Sequence, residues 1–219
     1  MKKKKFKLKK ETKKSIAIII NMILIILGIL GYISHIKEFG KFDFQYYTLD
    51  CNLFAMIVEM ILIYYMTLED KVPKWVQVLK YMSILALVVT FLVVVFILEP
   101  QYEYGYDWFL FHGSSLYYHT LVPILGFISF VFFEDYKFNK KDSCLAMIFT
   151  IIYAIVAITA NVIGAWDGPY PFLRVRSNPW YISVLWTVAI LGGALALSFL
   201  INLCRNSINK SRNGKEVWK

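Results

Sequence analysis

Long apolar runs alternate along this chain with short polar interruptions. The runs cover 15–34, 44–66, 76–98, 114–133, 143–165 and 181–203, each twenty residues or more. At a helical rise of about 1.5 Å per residue, that length crosses the roughly 30 Å hydrocarbon core of a bilayer. The runs are continuously apolar, whereas the strands of a membrane β-barrel alternate with polar lumen-facing positions. Helices are the other way to satisfy backbone polar groups in hydrocarbon. The pattern therefore predicts an all-α polytopic membrane protein, a bundle of six transmembrane helices over 15–203, flanked by a basic segment at 1–14 and a basic tail at 204–219. Tyrosines and polar side chains blur the outer ends of the second and fourth runs. A secretory signal also turns from basic to apolar, but the first run exceeds a typical signal core and lacks a small-residue cleavage site.

Composition and charge add orientation. The chain is 58% hydrophobic and 18% charged, too apolar for an ordinary soluble domain. Its net charge of +9 would suit nucleic acid, but nine lysines precede Ser15, directly ahead of the first run. That placement points to anionic lipid headgroups at the cytoplasmic face, with membrane lipids and not nucleic acid as partners. With both termini inside, 20 of the 24 basic residues become cytoplasmic, leaving Lys37, Lys41, Arg174 and Arg176 outside. The positive-inside rule favours this arrangement, that of a cell-membrane protein with cytoplasmic ends. The connection 99–113 agrees, with three acidic residues and no basic one, and its Tyr102, Tyr104, Tyr106 and Trp108 read as an interfacial aromatic belt. Cys51, Cys144 and Cys204 follow no disulfide or metal spacing, and no cofactor is expected. No internal repeat and no matched Gly/Pro interruptions are present, which weakens a transporter reading.

Polar residues inside the runs carry the candidate chemistry, because each must face a partner or a cavity. On a helix Thr48, Asn52, Ala55 and Glu59 fall within about 60° of one another, forming an inward stripe. His119 and Asn161 lie four or five residues inside the outer ends of the fourth and fifth runs, at the depth of Thr48. An imidazole can take a threonine proton during attack on an ester carbonyl, giving an acyl-enzyme that water resolves. Asn52 or Asn161 would then donate to the oxyanion or orient the ring. Glu59 lies eleven residues below Thr48, about 16 Å along the axis, which suits partnering a buried polar group. Each residue also has a bland role: threonine bonding its own helix, histidine and asparagine joining helices. His35 and His112 sit near interfaces, where a solvated ring costs little.

Three segments, YYTLDCNLF, YYHTLVPIL and WDGPYPFLRV, resemble the androgen-induced and androgen-dependent transmembrane threonine hydrolase family and its bacterial relatives. The resemblance implies hydrolysis of fatty-acid esters of hydroxy fatty acids, with Thr48 as nucleophile and His119 as essential histidine. It also matches Asn52 and the PYPF loop at Pro169 to Phe172. The chain departs where animal members tend to carry a second histidine a few residues earlier, since here the nearest is His112. A weaker likeness to cysteine–histidine acyltransferases makes Cys51 a rival nucleophile. Under the hydrolase reading Trp166, Tyr170 and Phe172 roof the site, and Arg174 with Arg176 attracts a carboxylate or phosphate. Two alternatives use the same residues: a transporter or lipid-binding protein with a polar outer cavity, and a structural subunit joined by polar contacts.

Overall fold

The computed structural model describes residues 10–69, 71–103 and 105–213. Among them lies no strand, and six helices are long and apolar enough to cross a membrane. They are α1 (Glu11–Phe39), α2 (Tyr47–Leu68), α3 (Lys74–Gln101), α4 (Gly113–Phe133), α5 (Lys140–Val162) and α6 (Trp180–Ile208). The protein is an all-α, multi-pass membrane bundle. Lipid is the solvent for much of its surface, so Ile152 and Ile155 of α5 and Leu185 and Val188 of α6 stand exposed. The central helix is α3, whose most apolar stretch is 61% buried against 17% for α6. Its Ile84, Leu85 and Leu87 pack with Leu24 of α1, Ala55 of α2, Val122 of α4, Ala157 of α5 and Ile201 of α6 in one core.

An even number of crossings puts both termini at one end of the bundle, the terminal end. The α1–α2, α3–α4 and α5–α6 connections form the far end. The terminal basic segments are less separate than the sequence implied, because helix begins at Lys10 and α6 continues as helix to Asn213. The lysines before Lys10, Tyr104 of the aromatic belt and the basic residues after Asn213 lie outside the described residues.

Two charges counted as cytoplasmic are instead inside the bundle. Lys80 is fully buried, and its ammonium meets Glu59 of α2, Glu134 just after α4 at 3.3 Å and the Asn21 amide oxygen of α1 at 3.4 Å. Arg205 is also buried, its guanidinium 4.6 Å above the Phe130 ring and its Nε donating to the Tyr136 carbonyl. A charge moved out of water requires such partners, and they come from α1, α2, α4 and the segment just after α4.

Helix α4 carries the local distortions that place the site. Its start is capped by Glu38 of α1, which accepts from the Ser114 amide at 3.2 Å and from the Ser114 hydroxyl at 2.7 Å. Gly113 precedes that cap at φ +48°, and a Cβ there would collide with the Glu38 carboxylate. Pro123 has no N–H to offer the His119 carbonyl four residues back, and its ring crowds that oxygen. The backbone responds by widening into a π-helical turn at Leu116–Leu121, where the Val122 N–H reaches five residues back to Tyr117. Pro100 follows a similar turn at Val94–Leu98 in α3.

Candidate active site

Thr48 sits in the first turn of α2, whose chain enters in extended conformation at Tyr46. The Leu49 and Asp50 amides bond back to the Tyr46 carbonyl. The Thr48 amide precedes any intrahelical acceptor and donates to the Tyr170 hydroxyl instead, at 3.4 Å. Tyr170 is held by stacking on Phe172, with centroids 5.2 Å apart, and by an edge contact with Tyr46. Burial pushes its phenol pKa up, so it remains a hydroxyl and keeps a proton to donate.

His119 projects from the wide turn of α4 toward this point. Its Nε2 lies 3.4 Å from Thr48 Oγ1, and its Nδ1 lies 2.7 Å from the Phe109 carbonyl. A carbonyl oxygen only accepts, so Nδ1 carries the hydrogen and the Nε2 lone pair faces the threonine hydroxyl. That is the tautomer a general base needs. The 3.4 Å separation is long for a hydrogen bond and ordinary for a catalytic pair without substrate. The Thr120 hydroxyl bonds the neighbouring Leu110 carbonyl at 2.7 Å, so two adjacent side chains of α4 fasten the 107–111 segment.

Two cavities meet at Thr48. A chamber of about 500 Å³ opens at the far end, lined by His35, Lys41, Asp43, Tyr118, His119 and Arg174 among others. A narrower apolar crevice, about 60 Å³, runs between α3, α5 and α6. Thr48, Leu98 and Tyr170 line both. In the chamber wall Asp43 accepts from Gln45 at 2.7 Å and pairs with Lys41 at 3.1 Å. Partial burial acts to raise its pKa, but the hydrogen bonds from Gln45 and Lys41 outweigh it and hold the carboxyl below its usual value.

No protein-family model, curated protein or solved structure matches the chain. Geometry therefore carries the functional reading. It brings together Thr48, His119 and Tyr170, with Asn52 directly behind them. Asn52 is buried one turn below Thr48, and its amide donates to the Thr48 carbonyl at 2.8 Å and to the Tyr118 carbonyl at 3.5 Å. It links α2 to α4, and its amide nitrogen is engaged by these two carbonyls rather than by the His119 ring it was expected to orient.

Of the remaining expected site residues, Asn161, Trp166, Arg174 and Glu59, one lines the chamber and three do not. Asn161 donates to the Trp166 carbonyl at 3.0 Å and accepts the Arg176 amide at 3.1 Å, fastening the end of α5 to the following loop. It lines neither cavity, nor does Trp166, whose ring packs against the core. Arg174 does line the chamber, with Nε directed to the Gly168 carbonyl at 3.4 Å. Glu59 is bound to Lys80, deep toward the terminal end. Cys51 is fully buried between Thr90, 3.1 Å away, and the Thr48 carbonyl, facing neither cavity and so unavailable to a substrate there.

Sequence reasoning passed over three contributors. His35, read as interfacial, is buried against Phe39 and Tyr118, and its Nε2 has no partner. The Tyr118 hydroxyl is likewise buried without a partner. The Phe109 carbonyl that fixes the His119 tautomer is a backbone atom without a sequence signature. An approximate signal for His35 was available, since it lies one turn before Phe39 on an extension of the first apolar run.

Proposed function

We propose that this chain is an intramembrane hydrolase of lipid esters, with Thr48 as nucleophile and His119 as general base. The observation that carries the reading is the committed tautomer: Nδ1 is tied to Phe109, leaving Nε2 to take the Thr48 proton. The chemistry agrees with that of the threonine hydrolases which the sequence segments resemble. In the reaction Thr48 Oγ1 attacks the ester carbonyl while its proton passes to Nε2. The developing oxyanion is met by the Tyr170 hydroxyl and the Thr48 amide, the two groups now 3.4 Å apart, at the positive end of the α2 dipole. This role replaces the one first expected of Asn52 and Asn161, and Asn52 becomes a positioning residue that holds the Thr48 carbonyl.

Orientation belongs to the same proposal. The basic bias toward the terminal end puts both termini in the cytoplasm, beside anionic headgroups, and the chamber at the outer surface. The alternative of a transporter or lipid-binding protein with a polar outer cavity would use the same chamber, with Glu59 tied to Lys80 away from both cavities. The test is ester turnover by purified protein in lipid nanodiscs. A medium-chain ester should be hydrolysed by the wild type and not by folded Thr48→Ala. Equal turnover by the two, or none by either, would sink the proposal.

A further inference from the structure

We infer that the substrate ester binds in one sense, with its acyl chain in the crevice between α3, α5 and α6 and its alcohol arm in the chamber beside His119. The inference rests on the hydrolase reading and adds a direction to it. His119 lines the chamber and not the crevice, whereas Thr48 lines both. During acylation the Oγ1 to carbonyl-carbon bond forms and the hydroxyl proton moves to Nε2. On collapse the bond from that carbon to the alcohol oxygen breaks, and the departing oxygen takes the proton from Nε2. The alcohol oxygen must therefore lie on the His119 side, within the chamber. Deacylation uses the same side: water gives one proton to Nε2 as its oxygen attacks, the acyl to Oγ1 bond breaks, and Oγ1 recovers that proton as the acid departs. The acyl chain is left with the other direction from Thr48, into the crevice.

The walls match these assignments. Val93, Val94, Ile158, Ile190 and Leu191 give the crevice a hydrocarbon surface. Its threonine hydroxyls are already occupied: Thr90 donates to the Ala86 carbonyl at 3.1 Å, Thr150 bonds the Tyr47 hydroxyl at 2.7 Å, and Thr187 donates to the Ser183 carbonyl at 2.8 Å. A polar occupant would lose its hydration there without finding partners, and a hydrocarbon chain would not. The chamber is the reverse. Its wall carries the charged or polar side chains of Lys41, Asp43, Gln45, Ser115 and Arg174, which suit an ester oxygen and a hydroxyl better than a hydrocarbon chain. The lining of the crevice on α3 extends from Val89 to Leu98, while the open space is about 60 Å³, so a short acyl chain fits directly and a medium one must press its walls apart, which makes acyl length the property the crevice senses.

The experiment compares 4-nitrophenyl acetate with 4-nitrophenyl octanoate in nanodiscs, reading the octanoate-to-acetate ratio of kcat/KM. Ala154→Phe narrows the crevice and should lower that ratio at least tenfold. Leu191→Ala widens it and should move the preferred acyl length upward, which keeps the inference testable where the larger side chain prevents folding. Acetate esters of lengthening alcohols should show no such change of preference in either variant. An unchanged acyl ratio in both variants, or a change confined to the alcohol series, overturns the binding sense while Thr48-dependent turnover leaves the hydrolase reading intact. Absence of Thr48-dependent turnover with every ester overturns both.

Discussion

Replacing Lys80 with methionine should destabilise the bundle more than any single change at the active site. The ammonium stands between the Glu59 and Glu134 carboxylates, and all three side chains are at most 1% exposed. Methionine fills a comparable volume but leaves two carboxylates buried without the cation between them. Removing one member of a buried ion pair costs about 3–5 kcal/mol, because the remaining charge keeps its desolvation penalty. At about 2–4 °C per kcal/mol for a chain of this size, the expected fall in Tm is roughly 6–20 °C. Tryptophan fluorescence during thermal unfolding in a fixed detergent reads it directly. The double variant Glu59→Leu/Lys80→Met removes a charge of each sign and should recover at least half of the loss. A single-variant cost below about 1 kcal/mol, or a double variant no more stable than the single, would refute the argument from uncompensated burial. The network lies about 16 Å below Thr48 along α2, so the folded fraction of Lys80→Met should still turn over ester.

Three further outcomes follow from the far end of the bundle. Tyr170→Phe keeps the ring stacked on Phe172 and removes only the hydroxyl, so kcat should fall about 10²-fold with little change in KM; equal kcat would remove Tyr170 from oxyanion stabilisation. Gly113→Ala must hold φ +48° and displace the Glu38 carboxylate, so it should cost about 1–3 kcal/mol in thermal unfolding, and a neutral result would contradict the cap geometry. The depressed Asp43 pKa means that its contribution to stability is present above the unfolded value, about 3.9, and is lost as pH falls through the lower folded value. Hydrogen exchange of residues 41–46 should therefore be insensitive to Asp43 ionisation near neutrality and accelerate in strong acid; Asp43→Asn should abolish that acid step, and its persistence would exclude this residue as the cause.

The six spans were legible because hydrocarbon thickness imposes run length and continuity on the sequence. Their ends were less so. The first span continues past the charged Lys37 and Glu38 to Phe39, since a charge near an interface does not end a helix and Glu38 caps α4 from that extension. Lys80 and Arg205 were counted with the cytoplasmic loop and tail charges, and their burial was not foreseen, because the sequence reveals a charged residue but not its partners elsewhere in the bundle. The stripe from Thr48 through Asn52 and Ala55 to Glu59 was readable from helical geometry, and Asn52, Ala55 and Glu59 are indeed buried. What each of them bonds was not readable. Shared depth put Asn161 beside the pair, whereas rotation about its helix axis turns it to the loop. The His119 tautomer depends on a carbonyl in a π-helical segment, and the turn that aims the ring depends on Pro123.

The central claim is that His119 activates Thr48. Fluorophosphonate labelling followed by peptide mass spectrometry tests it most directly, with thermal unfolding confirming that each variant is folded. The adduct should fall on Thr48, disappear in Thr48→Ala, and form at least about 10²-fold more slowly in His119→Ala. An adduct on another residue, or labelling unchanged in both folded variants, would contradict it.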